Sequence, residues 1–134
     1  MPAFKKILFV DDDIITVNIC ERMMKVVDFT EKFVSCSDGR EAKEYLMSSK
    51  EEMPDIVFVD LHMTFMNGWE FLEWFKSWMA SENLTTVVYV LSSSLSQDDY
   101  DGAAHYHING YIIKPMTAAH LKDLIAKFAV KPSL

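Results

Sequence analysis

The chain has 134 residues, half of them apolar and a quarter charged, as expected for one globular domain with its own core. Its net charge of -7 excludes a role built on phosphate-backbone binding, which needs Lys and Arg, and no apolar run reaches the ~18 residues of a membrane span. The start, "MPAFKKILFV", has neither the length nor the cleavage site of a signal peptide, and Cys20 and Cys36 show no CxxC spacing. The expectation is a cytoplasmic protein with two reduced, buried thiols.

In chain order, short apolar runs alternate with longer segments of helical character. The runs are "KILFV" (6–10), "KFVSC" (32–36), "DIVFV" (55–59), "VVYVL" (87–91) and "GYII" (110–113). They are rich in Val, Ile, Phe and Tyr and continuous rather than alternating, the pattern of parallel strands covered on both faces. "IITVNICERMMKVV", "GREAKEYLMSS", "GWEFLEWFKSWMA" and a weaker "SQDDYDGAAHY" lie between them. In the last helix, "AAHLKDLIAKFAV", Leu121, Leu124, Ile125 and Phe128 form one apolar stripe. Asp38, Asn67 and Thr117 stand where N-caps of the second, third and fifth helices belong. Five βα units without linker or repeat predict a doubly wound α/β domain spanning residues 1–134, with a core over about 5–130 and no output domain.

Ligands of open parallel sheets bind beyond the carboxyl ends of the strands, so the residues closing each run are the candidates. The first run ends in Asp11, Asp12 and Asp13, the third in Asp60, the fourth in Ser92, Ser93 and Ser94, and the fifth in Lys114-Pro115. Carboxylates gathered at one rim repel one another unless a cation neutralises them, and hard oxygen donors suit Mg²⁺. Lys114 is then expected to pair with Asp60 or with a phosphoryl group on it, and Ser92 to donate to a phosphoryl oxygen. Each residue also has a plainer role. Asp13 can cap the first helix, a serine run makes local turns, and Lys-Pro commonly enters a helix. The arrival of all four groups at one rim favours in-line attack by a carboxylate on phosphorus.

The motifs "ILFVDDD", "VDLHMTFMNG", "VLSSS" and "GYIIKP" resemble the receiver domain of two-component response regulators, from Lys6 to Val130. Their spacings are receiver-like: 48 residues from Asp12 to Asp60, 32 on to Ser92 and 22 on to Lys114. The chain is most similar to stand-alone receivers of the chemotaxis-regulator kind. The resemblance implies a flavodoxin-like sheet of order 2-1-3-4-5 with five helices. It implies Asp60 as phosphoacceptor, with Ser92 and Lys114 completing the catalytic set. Mg²⁺ would be held by Asp12, Asp60 and the His62 backbone carbonyl, with Asp11 acting through water. Ser92 and Tyr111 would form the switch, Ser93 the small residue beside it, and a cis Lys114–Pro115 bond would turn the lysine back. Phosphohistidine of a sensor histidine kinase or phosphotransfer protein would be the donor. The output would be a protein target met through the fourth helix, fifth strand and fifth helix, with room for a phosphorylation-dependent homodimer. No nucleic acid, membrane or multiple-turnover enzyme activity is implied. The chain departs from the family in Met63-Thr64, where Met-Pro is usual, and in Asn67 for a common Asp. His62 and Ser94 resemble positions that tune dephosphorylation, so changing either should alter the decay rate several-fold.

Two alternatives compete. Asp11-x-Asp13 matches a Mg²⁺-dependent phosphohydrolase of the haloacid-dehalogenase kind, although Ile15 stands where Thr or Val is usual. A degenerate receiver used as a scaffold would not need the intact acidic pair, Asp60, Ser92 and Lys114. His105 and His107 read as surface residues rather than zinc ligands. Met23, Met24, Met47, Met66 and Met79 read as core filler. On the third helix Phe71, Phe75 and Met79 supply the buried stripe. Trp74 and Trp78, off that stripe, either wrap onto the core edge or serve as an exposed binding anchor.

Overall fold

The computed structural model describes residues 1–63, 65–93, 96–106 and 108–129. Its elements are β1 (Phe4–Val10), α1 (Ile14–Val26), β2 (Thr30–Cys36), α2 (Gly39–Ser48), β3 (Ile56–Asp60), α3 (Gly68–Glu82), β4 (Val87–Ser92), α4 (Gln97–Ala104), β5 (Gly110–Ile113) and α5 (Ala118–Phe128), with a 3₁₀ turn at Lys50–Glu52. The five strands are parallel in the order β2-β1-β3-β4-β5, as the resemblance implied.

Alternation along the strands divides the core into two layers. Ile7, Phe9, Ile56, Phe58, Tyr89 and Leu91 face α1 and α5, where Val17, Cys20, Met24, Leu121 and Leu124 cover them. Leu8, Val10, Val57, Val59, Val88 and Val90 face α2, α3 and α4 and meet Ala42, Leu46, Phe71, Leu72, Phe75 and Ala103. The central strands β1 and β3 are therefore apolar over Ile7–Val10 and Ile56–Val59, where both faces are covered. β2 is an edge strand and largely open to solvent, so the expectation of cover on both faces holds for the centre of the sheet and not for its margin. Lys6 is 3% exposed within β1; its ammonium donates to the Tyr45 hydroxyl at 2.9 Å and lies over that ring, which supplies the partner that burial demands.

All three expected caps are present. Asp38 accepts from the amide of Glu41, Asn67 forms a reciprocal capping box with Glu70, and Thr117 does the same with His120. Asp13 and Ser96 cap α1 and α4 in addition. The α5 stripe is as expected, with Leu121 and Leu124 buried and Ile125 and Phe128 packed beside them. Cys20 and Cys36 are free, buried thiols. Met24 is core, but Met47 is 54% exposed, which corrects its assignment as filler: it lies on the outer face of α2, away from the sheet. His105 is exposed; His107, Thr64, Ser94 and Val130 lie outside the described residues.

Trp74 and Trp78 are half-buried. They stack on each other with ring centroids 5.1 Å apart, both contact Phe75, and Lys43 lies over Trp74. They join the core margin while leaving an edge in solvent. Trp74→Ala and Trp78→Ala should therefore each cost about 2 kcal/mol, roughly half the loss for a fully buried ring. Urea melts check this; stability unchanged in both variants would make them surface anchors instead.

Candidate functional site

Strand order reverses between β1 and β3, and the helices that follow them leave to opposite faces of the sheet. The loops part there and open a crevice at the carboxyl edge. Asp11 and Asp12 follow β1, and Asp60 closes β3. One carboxylate oxygen from each lies within 4.8 Å of the others. Asp11 and Asp60 are buried and Asp12 is exposed, so the cluster has one open side.

Lys114 enters from β5. Its ammonium donates to Asp11 Oδ2 at 2.7 Å and lies 3.5 Å from Asp60 Oδ2. Asp60 was expected as its partner, but Asp11 holds it closer, because the wholly buried Asp11 side chain has the greater need of a cation. The other Asp11 oxygen accepts from the Asp13 amide at 2.9 Å. The Lys114–Pro115 bond is cis, as expected. Ser92, fully buried at the end of β4, lies in register beside Ile113, and its carbonyl accepts the Lys114 amide at 2.9 Å. Ser93 beside it is exposed, and Ser94 falls outside the described residues.

Burial pushes the Asp60 carboxyl above the usual carboxylate value; the Lys114 charge pulls it down and Asp11 pushes it up again. For Lys114, burial opposes the charged form. The hydrogen bond and charge of Asp11, joined by Asp60, outweigh burial and hold the ammonium above the ordinary lysine value. Burial raises the thiol of Cys20 to about 11 and that of Cys36 to about 12, so neither is a nucleophile at neutral pH.

α3 begins against the back of Asp60. The Gly68 amide donates to the Leu61 carbonyl at 3.0 Å, and a Cβ on Gly68 would press on the Asp60 carbonyl oxygen and lie 2.6 Å from Leu61 Cα. Only glycine lets the helix approach this closely. Gly68→Ala should cost about 2 kcal/mol by overpacking, measured by thermal melting. An unchanged melt would show that the backbone of Asp60 is free to shift.

The His62 amide donates to Asp60 Oδ1 at 3.3 Å, and its imidazole leans out to Asp99 of α4. Tyr111 is half-buried against Tyr100, with ring centroids 5.4 Å apart, and its hydroxyl is buried without a partner among the described residues. Sequence reasoning missed Asp99, whose approach to His62 depends on tertiary contact. It also missed the exposed Ile15, Ile19 and Val26 on α1, beside the buried Val17, Cys20 and Met24. The available signal was an excess of apolar residues in α1 over what one buried face requires.

Asp13 turns away from the cluster to accept from the Ile15 amide and the Thr16 hydroxyl. It therefore caps α1 rather than forming the acid pair that the phosphohydrolase reading needs. Among the described residues, no helix is long and apolar enough to cross a membrane.

The comparisons with known proteins agree with this geometry. A family model described as "Response regulator receiver domain" matches residues 7–126. The chemotaxis protein CheY of Pseudomonas aeruginosa is 31% identical over 123 residues, which cover 91% of this chain and 94% of that protein. The sensory/regulatory protein RpfC of Xanthomonas campestris is 35% identical over 97 residues, 72% of this chain but 13% of RpfC. The crystal structure of a two-component response regulator from Cytophaga hutchinsonii has a TM-score of 0.85 at 28% identity, covering 93% of this chain and 96% of that one. Sheet order, the carboxylate cluster and the family match converge: the chain belongs to the response regulator receiver domains of two-component signalling.

Proposed function

We propose that this receiver accepts a phosphoryl group on Asp60 from phosphohistidine of a sensor histidine kinase or phosphotransfer protein, in a Mg²⁺-dependent reaction. The observation that carries the reading is the convergence of Asp11, Asp12, Asp60 and Lys114 at the one rim where the sheet opens. An oxygen of Asp60 attacks phosphorus, the N–P bond breaks, and its electron pair remains on the donor imidazole. Lys114 stabilises negative charge on the transferring group, and Ser92 donates to one of its oxygens.

The donor set fits Mg²⁺: hard carboxylate oxygens at one open-sided cluster, close enough to share an ion. Asp12, Asp60 and the His62 carbonyl would hold the cation directly. Asp11, whose two oxygens already accept from Lys114 and the Asp13 amide, would act through water. The cation supplies charge neutralisation that lets an anionic phosphoryl group approach.

Ser92 and Tyr111 form the switch in this reading. Exposed Tyr100 on α4 and Ile113 on β5 present apolar surface to a protein target or a second copy. The exposed Ile15 and Ile19, near the rim, suit a helix of the phosphodonor. The protein turns over only its own aspartyl phosphate, and its two free, buried thiols suit a reducing cytoplasm. The test is transfer from a panel of phosphorylated histidine kinases and phosphotransfer proteins. Rapid labelling by one or few donors is expected. Multiple-turnover hydrolysis of a simple phosphate ester without labelling would overturn the reading.

A further inference from the structure

Of the nine phenylalanines, Phe65 alone is exposed, at 57%. It stands in the β3–α3 loop, and the Arg40 guanidinium lies over its ring, 5.0 Å from the centroid. Arg40 occupies the first turn of α2, where a cation opposes the helix dipole, so formation of the helix does not account for it. Among the described residues, neither Arg40 nor Glu44, one turn further along α2, forms an ion pair. The loop is tied to α2. The Gly39 amide donates to the Met66 carbonyl at 3.0 Å, Met66 has a left-handed φ of 36°, and a Cβ on Gly39 would press on that carbonyl. Phe65 is thus held out into solvent by its neighbours. With Arg40 and Glu44 it lines a recess that also takes in Asp38, Glu41 and Asp12, the exposed carboxylate of the reactive cluster. The recess therefore adjoins the rim on the α2 face of the sheet, whereas Ile15 and Ile19 belong to α1 on the opposite face.

We propose that the Phe65–Arg40 stack docks the protein phosphodonor, with an apolar side chain of the donor on the ring and a basic one in the recess. The inference rests on Asp60 receiving its phosphoryl group from a protein phosphohistidine. An imidazole side chain is short, so the donor's backbone must descend onto the rim and cover the ground beside Asp12. An exposed aromatic ring and an arginine are the residue types that carry most binding energy at such contacts. Their stacking orders both side chains before the donor arrives, which lowers the entropy cost of binding. Four carboxylates in the recess face one guanidinium, so a basic group of the donor is attracted and an acidic one is rejected. Acetyl phosphate carries no such surface and gains nothing from the stack. Phe65 and Arg40 therefore select among protein donors and take no part in the chemistry at Asp60.

The experiment compares wild type, Phe65→Ala, Glu44→Lys and Met47→Ala, which removes an exposed apolar side chain from the outer face of α2. Each is labelled by the phosphorylated kinases and phosphotransfer proteins of the panel and, separately, by acetyl phosphate in Mg²⁺. With the protein donor that labels wild type fastest, kcat/KM should fall about tenfold or more in Phe65→Ala and in Glu44→Lys, through KM. Acetyl phosphate labelling of Phe65→Ala and both rates of Met47→Ala should stay at wild-type values. Unchanged protein transfer in Phe65→Ala, an equal loss with acetyl phosphate, or an equal loss in Met47→Ala would overturn the docking role. A second readout needs no transfer. Unphosphorylated panel proteins are titrated into Asp60→Asn by calorimetry, and adding Phe65→Ala should raise the Kd of those that bind about tenfold; an unchanged Kd refutes the surface. Absence of labelling at Asp60 by every donor refutes only the phosphoacceptor reading, and these titrations still decide the surface.

Discussion

Lys114→Met should cost about 3 kcal/mol of folding stability, a fall in melting temperature of about 10 °C for a chain of this size. The lysine is the cation shared by Asp11 and Asp60, and its removal leaves two buried carboxylates facing each other. Breaking a buried pair from one side is costly because the remaining charge keeps its desolvation penalty. Mg²⁺ should recover part of the loss, since it neutralises the same oxygens. The pH dependence follows from the raised Lys114 pKa. A cation whose folded pKa exceeds its unfolded value contributes fully below the unfolded value of about 10.4, and that contribution is lost as pH rises through the folded value. Wild type should therefore lose stability at strongly alkaline pH, and Lys114→Met should lack that loss. Urea melts from neutral to alkaline pH, with and without Mg²⁺, measure it. A penalty below about 0.5 kcal/mol, the scatter of surface substitutions, would mean that the ammonium is not the counter-charge of the cluster.

Asp60→Asn should remove phosphorylation entirely and yet stabilise the unphosphorylated fold, by about 1 kcal/mol or about 4 °C at neutral pH. Burial raises the Asp60 pKa, with Lys114 offsetting part of the rise and Asp11 adding to it. A carboxyl with a raised folded pKa favours folding below its unfolded value of about 3.9, and that advantage is lost as pH rises through the folded value. At neutral pH the ionised group is thus held at a cost that the neutral amide avoids. The gain from Asp60→Asn should shrink as pH falls through the raised pKa. Mg²⁺ should raise the melting temperature of wild type and do less for the variant, in which a neutral amide oxygen replaces one of the charged carboxylate ligands. A variant less stable than wild type at neutral pH would show that the ionised carboxylate is favourable where it stands.

The elements that the sequence made plain are those where local chemistry and tertiary packing agree. Ile7–Val10 of β1 and Ile56–Val59 of β3 are apolar because they are buried on both faces, and the run "DIVFVD" marks both the strand and the carboxylate at its end. Asp38, Asn67 and Thr117 could be read as caps because a cap needs only its own side chain and the next turn. The gathering of Asp11, Asp12, Asp60 and Lys114 was legible because a parallel sheet delivers every strand end to one rim. What could not be read depends on relations between elements. The preference of Lys114 for Asp11 over Asp60 turns on a difference in burial within the cluster. The His62–Asp99 contact joins residues 37 apart, and neither residue carries a local mark of it. Met47 and Trp78 are both apolar and helical, but one faces solvent beside the buried Ala42 and Leu46 of α2, and the other joins the core margin through its contact with Phe75.

The central claim is that Asp60 is the nucleophile and that a divalent cation is required. Its most direct measurement treats the protein with acetyl phosphate in Mg²⁺ or in EDTA, then with borohydride, which reduces an acyl phosphate to an alcohol and converts a modified aspartate to homoserine. Peptide masses then locate the change. Homoserine at position 60 alone, formed in Mg²⁺ and absent in EDTA, is the predicted result. Conversion at another carboxylate, or equal conversion at Asp60 in EDTA, would contradict it.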